Sequence, residues 1–353
     1  MQLFKCQTCG QVLYFENTTC EKCGHRLGYL PDIGTLSAVE PEKEQWIALA
    51  SPKRRYRFCR NWEQRACNWM VDAAQGEPYC FACQHNRTIP DLSDPERHAA
   101  WQKMEEAKRR LFYSILKLGL PAPVPASGDP EPLVFDFLDD PPEGHAQRVM
   151  TGHDNGVITI SLKEADDAVR EASRTAMGEP YRTLLGHFRH EVGHYYWDKL
   201  VRDGGNLDSF RALFGNEEAD YGAALDRHYR EGAPADWQGA FVSAYATMHP
   251  WEDWAETWAH YMHIVDTLEM ASAFGIRISP DVSDDPRLET KVAFDPHRVR
   301  RVKTLIEAWL PLTYAVNCLN RSMGQPDLYP FVIPPRVVEK MGYIHKLIHT
   351  GKA

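Results

Sequence analysis

The chain has 353 residues, 43% hydrophobic and 25% charged, with a formal net charge of −9. That length can bury a large core and hold more than one domain, and the composition is that of a soluble globular protein. The acidic balance argues against a general nucleic-acid binder, and no apolar run approaches the ~20 residues that cross a membrane. Met1-Gln2-Leu3-Phe4-Lys5-Cys6 opens directly into a cysteine motif without an apolar signal core, so a cytoplasmic location is expected.

The cysteines come first along the chain, and eight of the nine precede residue 84. Cys6-x2-Cys9 and Cys20-x2-Cys23 form a paired knuckle pattern, followed by Gly10 and by Gly24-His25. Small residues there let the backbone turn and donate N–H groups to the sulfurs, which is the signature of a structural zinc site. Residues 1–30 are therefore expected to be a four-cysteine zinc ribbon, too short to fold on apolar burial alone and stabilised by its metal. Residues 31–50 read as a linker. Lys53-Arg54-Arg55-Tyr56-Arg57 is a local basic run, ordinarily a solvated face and alternatively a site for an anionic partner. Cys59, Cys67, Cys80 and Cys83 form a second set, expected to bind structural zinc in a module over residues 50–92. Disulfides suit a secreted chain better than thiols gathered in CxxC units, and no βαβ pattern supports a redox role. Cys318 stands alone and is expected to be a buried apolar residue.

From residue 93 to 353 the pattern predicts one larger domain. Ser93-Asp94-Pro95-Glu96 is a capped helix start, and the helix runs to about Leu118 with charge along much of its surface. A break with Pro121, Pro123, Pro125, Pro130 and Pro132 follows. Strands are predicted at 133–138, 147–151 and 157–162, the last two joined by a turn at Asp154-Asn155-Gly156. The strand at 157–162 is expected at the rim of a cleft, where an extended peptide could add to it. Beyond Lys163 the chain reads as mainly helical.

His190-Glu191-Val192-Gly193-His194 carries the chemistry. Four residues apart on a helix is only about 40° around the axis, so both imidazoles reach one metal ion. Glu191 points about 100° from His190, close enough to hold an attacking water without ligating. The helix is expected to start at Gly178-Glu179-Pro180-Tyr181, with Pro180 in the first turn and Glu179 at the positive end of the dipole. It is expected to stop at Asp203-Gly204-Gly205-Asn206. His187, one turn before His190, either touches substrate or is a hydrogen-bonded wall residue.

A catalytic zinc keeps three protein ligands and one open position. The segment 252–263, read as a helix, gathers Glu252, Glu256, His260 and His263 within about 80°, with Trp251, Trp254 and Trp258 opposite. The tryptophans are expected to be the packed face. Acids and histidines on the other face of so apolar a helix need compensation, which a zinc ion supplies. Either Glu252 or Glu256 could be the third ligand on this reading.

His190-Glu191-Val192-Gly193-His194 followed by Glu252-Asp253-Trp254-Ala255-Glu256 resembles the gluzincin arrangement, as in the catalytic domain of anthrax lethal factor and, more loosely, in Mlc titration factor A. The resemblance implies Glu252 as third ligand, Glu256 as an acid orienting a ligand histidine, and Tyr245 facing the reacting carbonyl. Thermolysin's Asn-Glu-x-x-Ser-Asp pattern is absent. Over nearly its whole length the chain also resembles a bacterial family of zinc-binding metallopeptidases with an N-terminal zinc ribbon. The early cysteines, Gly178 to Arg182, the metal helix through Trp197, and Asn320-Arg321-Ser322-Met323-Gly324 carry that likeness.

The fold class expected is thus α+β: a mostly helical zincin-like metallopeptidase domain with a small antiparallel sheet, preceded by zinc-ribbon-like modules of four cysteines each. The activity expected is zinc-dependent hydrolysis of an amide bond in a peptide or protein, with Glu191 as general base, Tyr245 at the oxyanion, and one catalytic and two structural zinc ions. The alternatives are a non-peptide amide substrate, or a zincin scaffold without turnover whose ribbons recruit a protein partner. The intact Glu191 counts against the scaffold.

Overall fold

The computed structural model describes residues 2–141, 149–176, 179 and 181–350. They form two compact units, Met1–Ser173 and Arg174–Ala353. No helix among the described residues is long and apolar enough to cross a membrane.

The first unit begins with a small antiparallel pair, β1 (Phe4–Lys5) and β2 (Val12–Leu13). A five-stranded antiparallel sheet follows in chain order: β3 (Arg26–Leu30), β4 (Thr35–Glu42), β5 (Gln45–Ala48), β6 (Arg55–Phe58) and β7 (Met70–Asp72). Residues 31–50 are therefore not a linker. Leu36, Ala38, Val39 and Ala48 are buried, and that apolar set holds β4 and β5 in the sheet. The sheet curls until its ends meet, with Tyr29 N donating to Asn68 O at 2.8 Å. The rings of Phe15, Tyr29 and Trp69 pack there with Tyr113, Phe15 lying 4.9 Å from Tyr29 and 5.4 Å from Tyr113. Two cations of the basic run are paired here: Arg54 with Asp32 at 2.6 Å, and Arg55 with Glu42.

A second sheet has the order β10 (Gly152–Asp154), β11 (Val157–Ser161), β9 (Val134–Leu138), β8 (Asn86–Thr88). It is mixed: β10 and β11 form an antiparallel hairpin through Asn155 at φ 46°, whereas β11–β9 and β9–β8 are parallel. The strand expected at 147–151 starts later, at Gly152. Gln147 and Arg148 lie outside the described residues, and Val149 N is drawn off the ladder by Asp140 Oδ1 at 2.8 Å. β11 was expected to offer a peptide a free edge, but it is paired on both sides and offers none.

The helix α1 (Pro95–Leu118) starts as the sequence predicts, with Asp94 Oδ1 accepting from Glu96 N at 2.9 Å. Its surface is less solvated than its charge suggests. Lys108 and Glu105 are both buried and pair at 2.7 Å. The short α2 (Asp167–Ala176) ends this part of the chain.

The second unit is helical: α3 (Leu184–Trp197), α4 (Leu207–Phe214), α5 (Tyr221–Glu231), α6 (Pro250–Ala273), α7 (Val302–Ser322) and α8 (Pro335–Thr350). α6 is its centre, touching α3, α4, α7 and α8. α3 starts at Leu184 rather than near residue 178, because Thr183 Oγ1 caps it by accepting from Gly186 N at 3.0 Å. Gly178 and Pro180 lie outside the described residues, and Glu179 sits before the helix, 3.3 Å from Arg182. Past Trp197 the chain makes a π-helical turn over Asp198–Arg202 and leaves the helix at Asp203. Cys318, expected to be buried, is exposed on α7, where the buried face is formed by Leu305, Trp309 and Leu312.

Two buried ionic contacts join these helices. Arg189 of α3 pairs with Asp266 of α6 and hydrogen-bonds His263. Asp266, Glu269 and His297 gather closely enough to hold a metal ion, and Arg189 supplies a cation to Asp266. The second contact is Lys340 Nζ of α8, 2.6 Å from Asp253 Oδ2 and 2.7 Å from Ala240 O. Burial pushes Asp253 up to about 7 even with Lys340 beside it, and it lowers Lys340, so both charges depend on each other. Lys340→Met should cost about 3–5 kcal/mol by leaving Asp253 alone in the interior. Adding Asp253→Leu should recover most of that loss in chemical denaturation.

Candidate active site

The cysteines form two tetrads. In the first, Cys6 Sγ is 3.7 Å from Cys23 Sγ and Cys9 Sγ is 3.6 Å from Cys20 Sγ. In the second, Cys67 and Cys80 are 3.6 Å apart, and all four side chains, with Cys59 and Cys83, are buried. These distances are far beyond a disulfide bond. They match the ~3.8 Å edge of a tetrahedron with Zn–S bonds of ~2.3 Å. Gly10 and Gly24 turn at φ 75° and 73°, returning their N–H groups to Cys6 O and Cys20 O at 2.9 and 2.8 Å. At Cys20, burial is outweighed by backbone N–H groups of Cys23 and Lys22, which bring the thiol down to about 7. In the second tetrad, burial and then the neighbouring thiols push Cys80 well up, a repulsion that a divalent cation would remove. The looser Cys59–Cys67 spacing is taken up by a 3-10 turn over Arg60–Trp62, which brings both sulfurs to one point.

The third cluster lies between α3 and α6. His190 Nε2 is 3.0 Å and His194 Nε2 3.5 Å from one atom, Glu252 Oε2. That oxygen is buried and accepts no hydrogen bond, while its partner Oε1 accepts from Tyr221 OH at 2.9 Å. Two ligands ~2.1 Å from a tetrahedral metal stand ~3.4 Å apart, so the donor set fits zinc. The histidines hold Glu252 well below the usual carboxylate range despite its burial.

The neighbours complete the constellation. His190 Nδ1 meets Glu256 Oε1 at 2.7 Å, and Ser243 Oγ donates to Glu256 Oε2 at 2.6 Å. Glu256 therefore faces the back of His190, and Glu252 faces the front. Glu191 Oε1 is 3.4 Å from His187 Nε2; burial would raise this carboxyl, but His187, His190 and His194 beside it hold it ionised. Tyr245, in a 3-10 turn at Tyr245–Thr247, has its ring 6.1 Å from that of His190. Burial, then Glu252 and Tyr221, push its hydroxyl well above the usual phenol range, so it stays a proton donor.

α6 departs from the expected face pattern. Trp254 and Trp258 are fully buried, but Trp251 lies against His194, ring centroids 4.0 Å apart. His260, buried, and His263, half-buried, do not join the cluster. His260 Nδ1 meets Tyr329 OH at 2.6 Å and burial lowers it to about 4, while His263 faces Arg189. Their burial is compensated by hydrogen bonds rather than by a metal. Sequence reasoning missed Tyr221 and Ser243, and it assigned Trp251 to the packed face rather than to the site. Neither Tyr221 nor Ser243 sits at a helical spacing from the motif, and only Tyr221's place just after the capping Asp220 marks it in the sequence.

Two cysteine tetrads and a His-His-Glu cluster with an adjacent carboxylate define a zinc protein of the metal-dependent hydrolase class. The profile of the family described as "Putative zinc-binding metallo-peptidase" matches residues 97–347, and that of a zinc-ribbon domain matches residues 3–94. The chain belongs to this metallopeptidase family. It is similar to uncharacterized proteins of Mycobacterium bovis and of two strains of Mycobacterium tuberculosis, each 43% identical over 350 residues, covering 99% of this chain and 95% of the relative. No solved structure matches the chain.

The close approach of α3 and α6 depends on Gly193. A Cβ there would lie 3.2 Å from Ala255 Cα and from the Trp258 ring. Gly193 O also accepts from Trp254 Nε1 at 2.8 Å. Gly193→Ala should cost about 1–3 kcal/mol by forcing the helices apart. Thermal denaturation and zinc retention on dialysis should both register it, with the zinc lost being that of the His190–His194 cluster.

Proposed function

We propose that this protein is a gluzincin-type zinc peptidase acting on peptides or proteins. The observation that supports it most is the bare, buried Glu252 Oε2 facing both histidine Nε2 atoms, with the ionised Glu191 beside them. His190, His194 and Glu252 would hold the zinc, and the two cysteine tetrads would hold two structural ions. Zinc in such a site polarises the scissile carbonyl and brings the pKa of its water to near ~7.

The chain's own residues would do the rest. Glu191 accepts the proton of the attacking water and later delivers it to the leaving amine. His187, 3.4 Å from Glu191, keeps that carboxylate ionised. Tyr245 donates to the oxyanion that develops on the substrate carbonyl. Glu256 accepts from His190 Nδ1 and fixes the tautomer that leaves Nε2 free to ligate. Ser243 and Tyr221 hold the two acids in place.

Glu191→Gln should abolish cleavage of a mixed peptide library while leaving the zinc content unchanged; undiminished turnover would remove Glu191 from the mechanism. A wild type that leaves every peptide intact but hydrolyses a small amide would move the substrate class instead. Elemental analysis should find about three zinc ions per chain, and Glu252→Ala about two. Tyr221→Phe should weaken the active-site zinc by about 10–100-fold, read by chelator competition, without releasing the ions of the cysteine tetrads.

A further inference from the structure

Most arginines of this chain that carry an ionic contact sit on a carboxylate, as Arg54, Arg87, Arg211 and Arg321 do. One group does not. Where α7 begins and α8 ends, an open cavity of about 550 Å³ is lined by Arg300, Arg301, Lys303, Lys346, His345 and His349. Among the described residues no carboxylate pairs with Arg300, Arg301 or Lys346; only Lys303 has one, Glu307 at 3.5 Å. His345 is 4% exposed, and its Nδ1 is engaged by Tyr261 OH at 2.9 Å, so the ring is fixed in the cavity wall.

Unneutralised cations gathered around one cavity repel each other, and in a chain of net charge −9 their clustering stands out from the surrounding surface. A multiply charged anion relieves the repulsion. Arginine forks match its oxygens in pairs. The uncapped first turn of α7, with Arg301 as a cap residue making no side-chain bond, adds backbone N–H groups on the same side of the balance.

We propose that this cavity binds a small molecule bearing two or more phosphate groups. A single phosphate carries about −1.5 to −2 at pH 7, which leaves part of the cationic lining unmatched. The volume also exceeds what one phosphate fills. A nucleic acid needs a basic stripe along an extended face, and this cluster is confined to one cavity. The site is separate from the zinc cluster, and the inference does not rest on the peptidase reading.

Isothermal titration of the full zinc-loaded chain tests it, with pyrophosphate, a nucleoside triphosphate and orthophosphate as probes and zinc content measured before and after to exclude chelation heat. Pyrophosphate or the triphosphate should bind more tightly than orthophosphate, and more weakly as salt rises. Arg300→Glu with Arg301→Glu should weaken that binding by about tenfold or more. Both residues are exposed, so the melting temperature should hold; if it falls, Lys346→Gln alone should still weaken binding. Absence of binding, equal binding by the variants, or tighter binding of a short single-stranded oligonucleotide than of pyrophosphate would each overturn the proposal.

Discussion

The contact on which the candidate active site depends is the packing of α3 on α6. Two histidines on one helix can be brought together by local geometry, but the third donor must be delivered by another element. Here that element is held by Gly193 against Ala255 and Trp258, by Trp254 Nε1 on Gly193 O, and by the stack of Tyr196 on Trp258 with centroids 4.9 Å apart. Each of these is apolar contact or a neutral hydrogen bond, so the alignment of charged groups is imposed by packing that the charges do not themselves supply.

Packing sets the position of Glu252, and hydrogen bonds then divide its labour. Oε1 is held by Tyr221 and Oε2 is left for the histidines. Glu256, one turn later, is held by Ser243 and presents its other oxygen to His190 Nδ1. Two carboxylates thus approach the same imidazole from opposite sides, one where a metal would sit and one where only a proton fits. The electrostatic field around His190 is strongly negative, and it raises that group despite its burial.

Much of this was legible in the sequence because its signals are local. The CxxC spacings, the cap at Asp94 and the i, i+4 histidines depend on residues within one or two turns of each other. Helical spacing marked the acidic face of the second helix, and the choice of Glu252 over Glu256 came from the gluzincin resemblance. What the sequence concealed is tertiary. Residues 31–50 looked like a linker because Asp32, Gly34 and Pro41 punctuate them, and only the buried Leu36, Ala38 and Ala48 show that they belong to a sheet. β11 was expected at a rim from its place before the metal helix, and its parallel pairing with β9 carries no local signal. Tyr221 and Ser243 reach the site from turns and helix starts that carry no periodic pattern.

The cysteine sulfurs of the first tetrad come from residues close together in the chain, whereas His190 and Glu252 are separated by α4 and α5. Closing the first loop costs little chain entropy, and closing the second waits on the docking of two long helices. The ribbon can therefore assemble around its ion as a local event early in folding. The His190–His194–Glu252 cluster acquires its full donor set only once the helical unit has consolidated, so a half-folded chain would complete its first cysteine tetrad before that cluster.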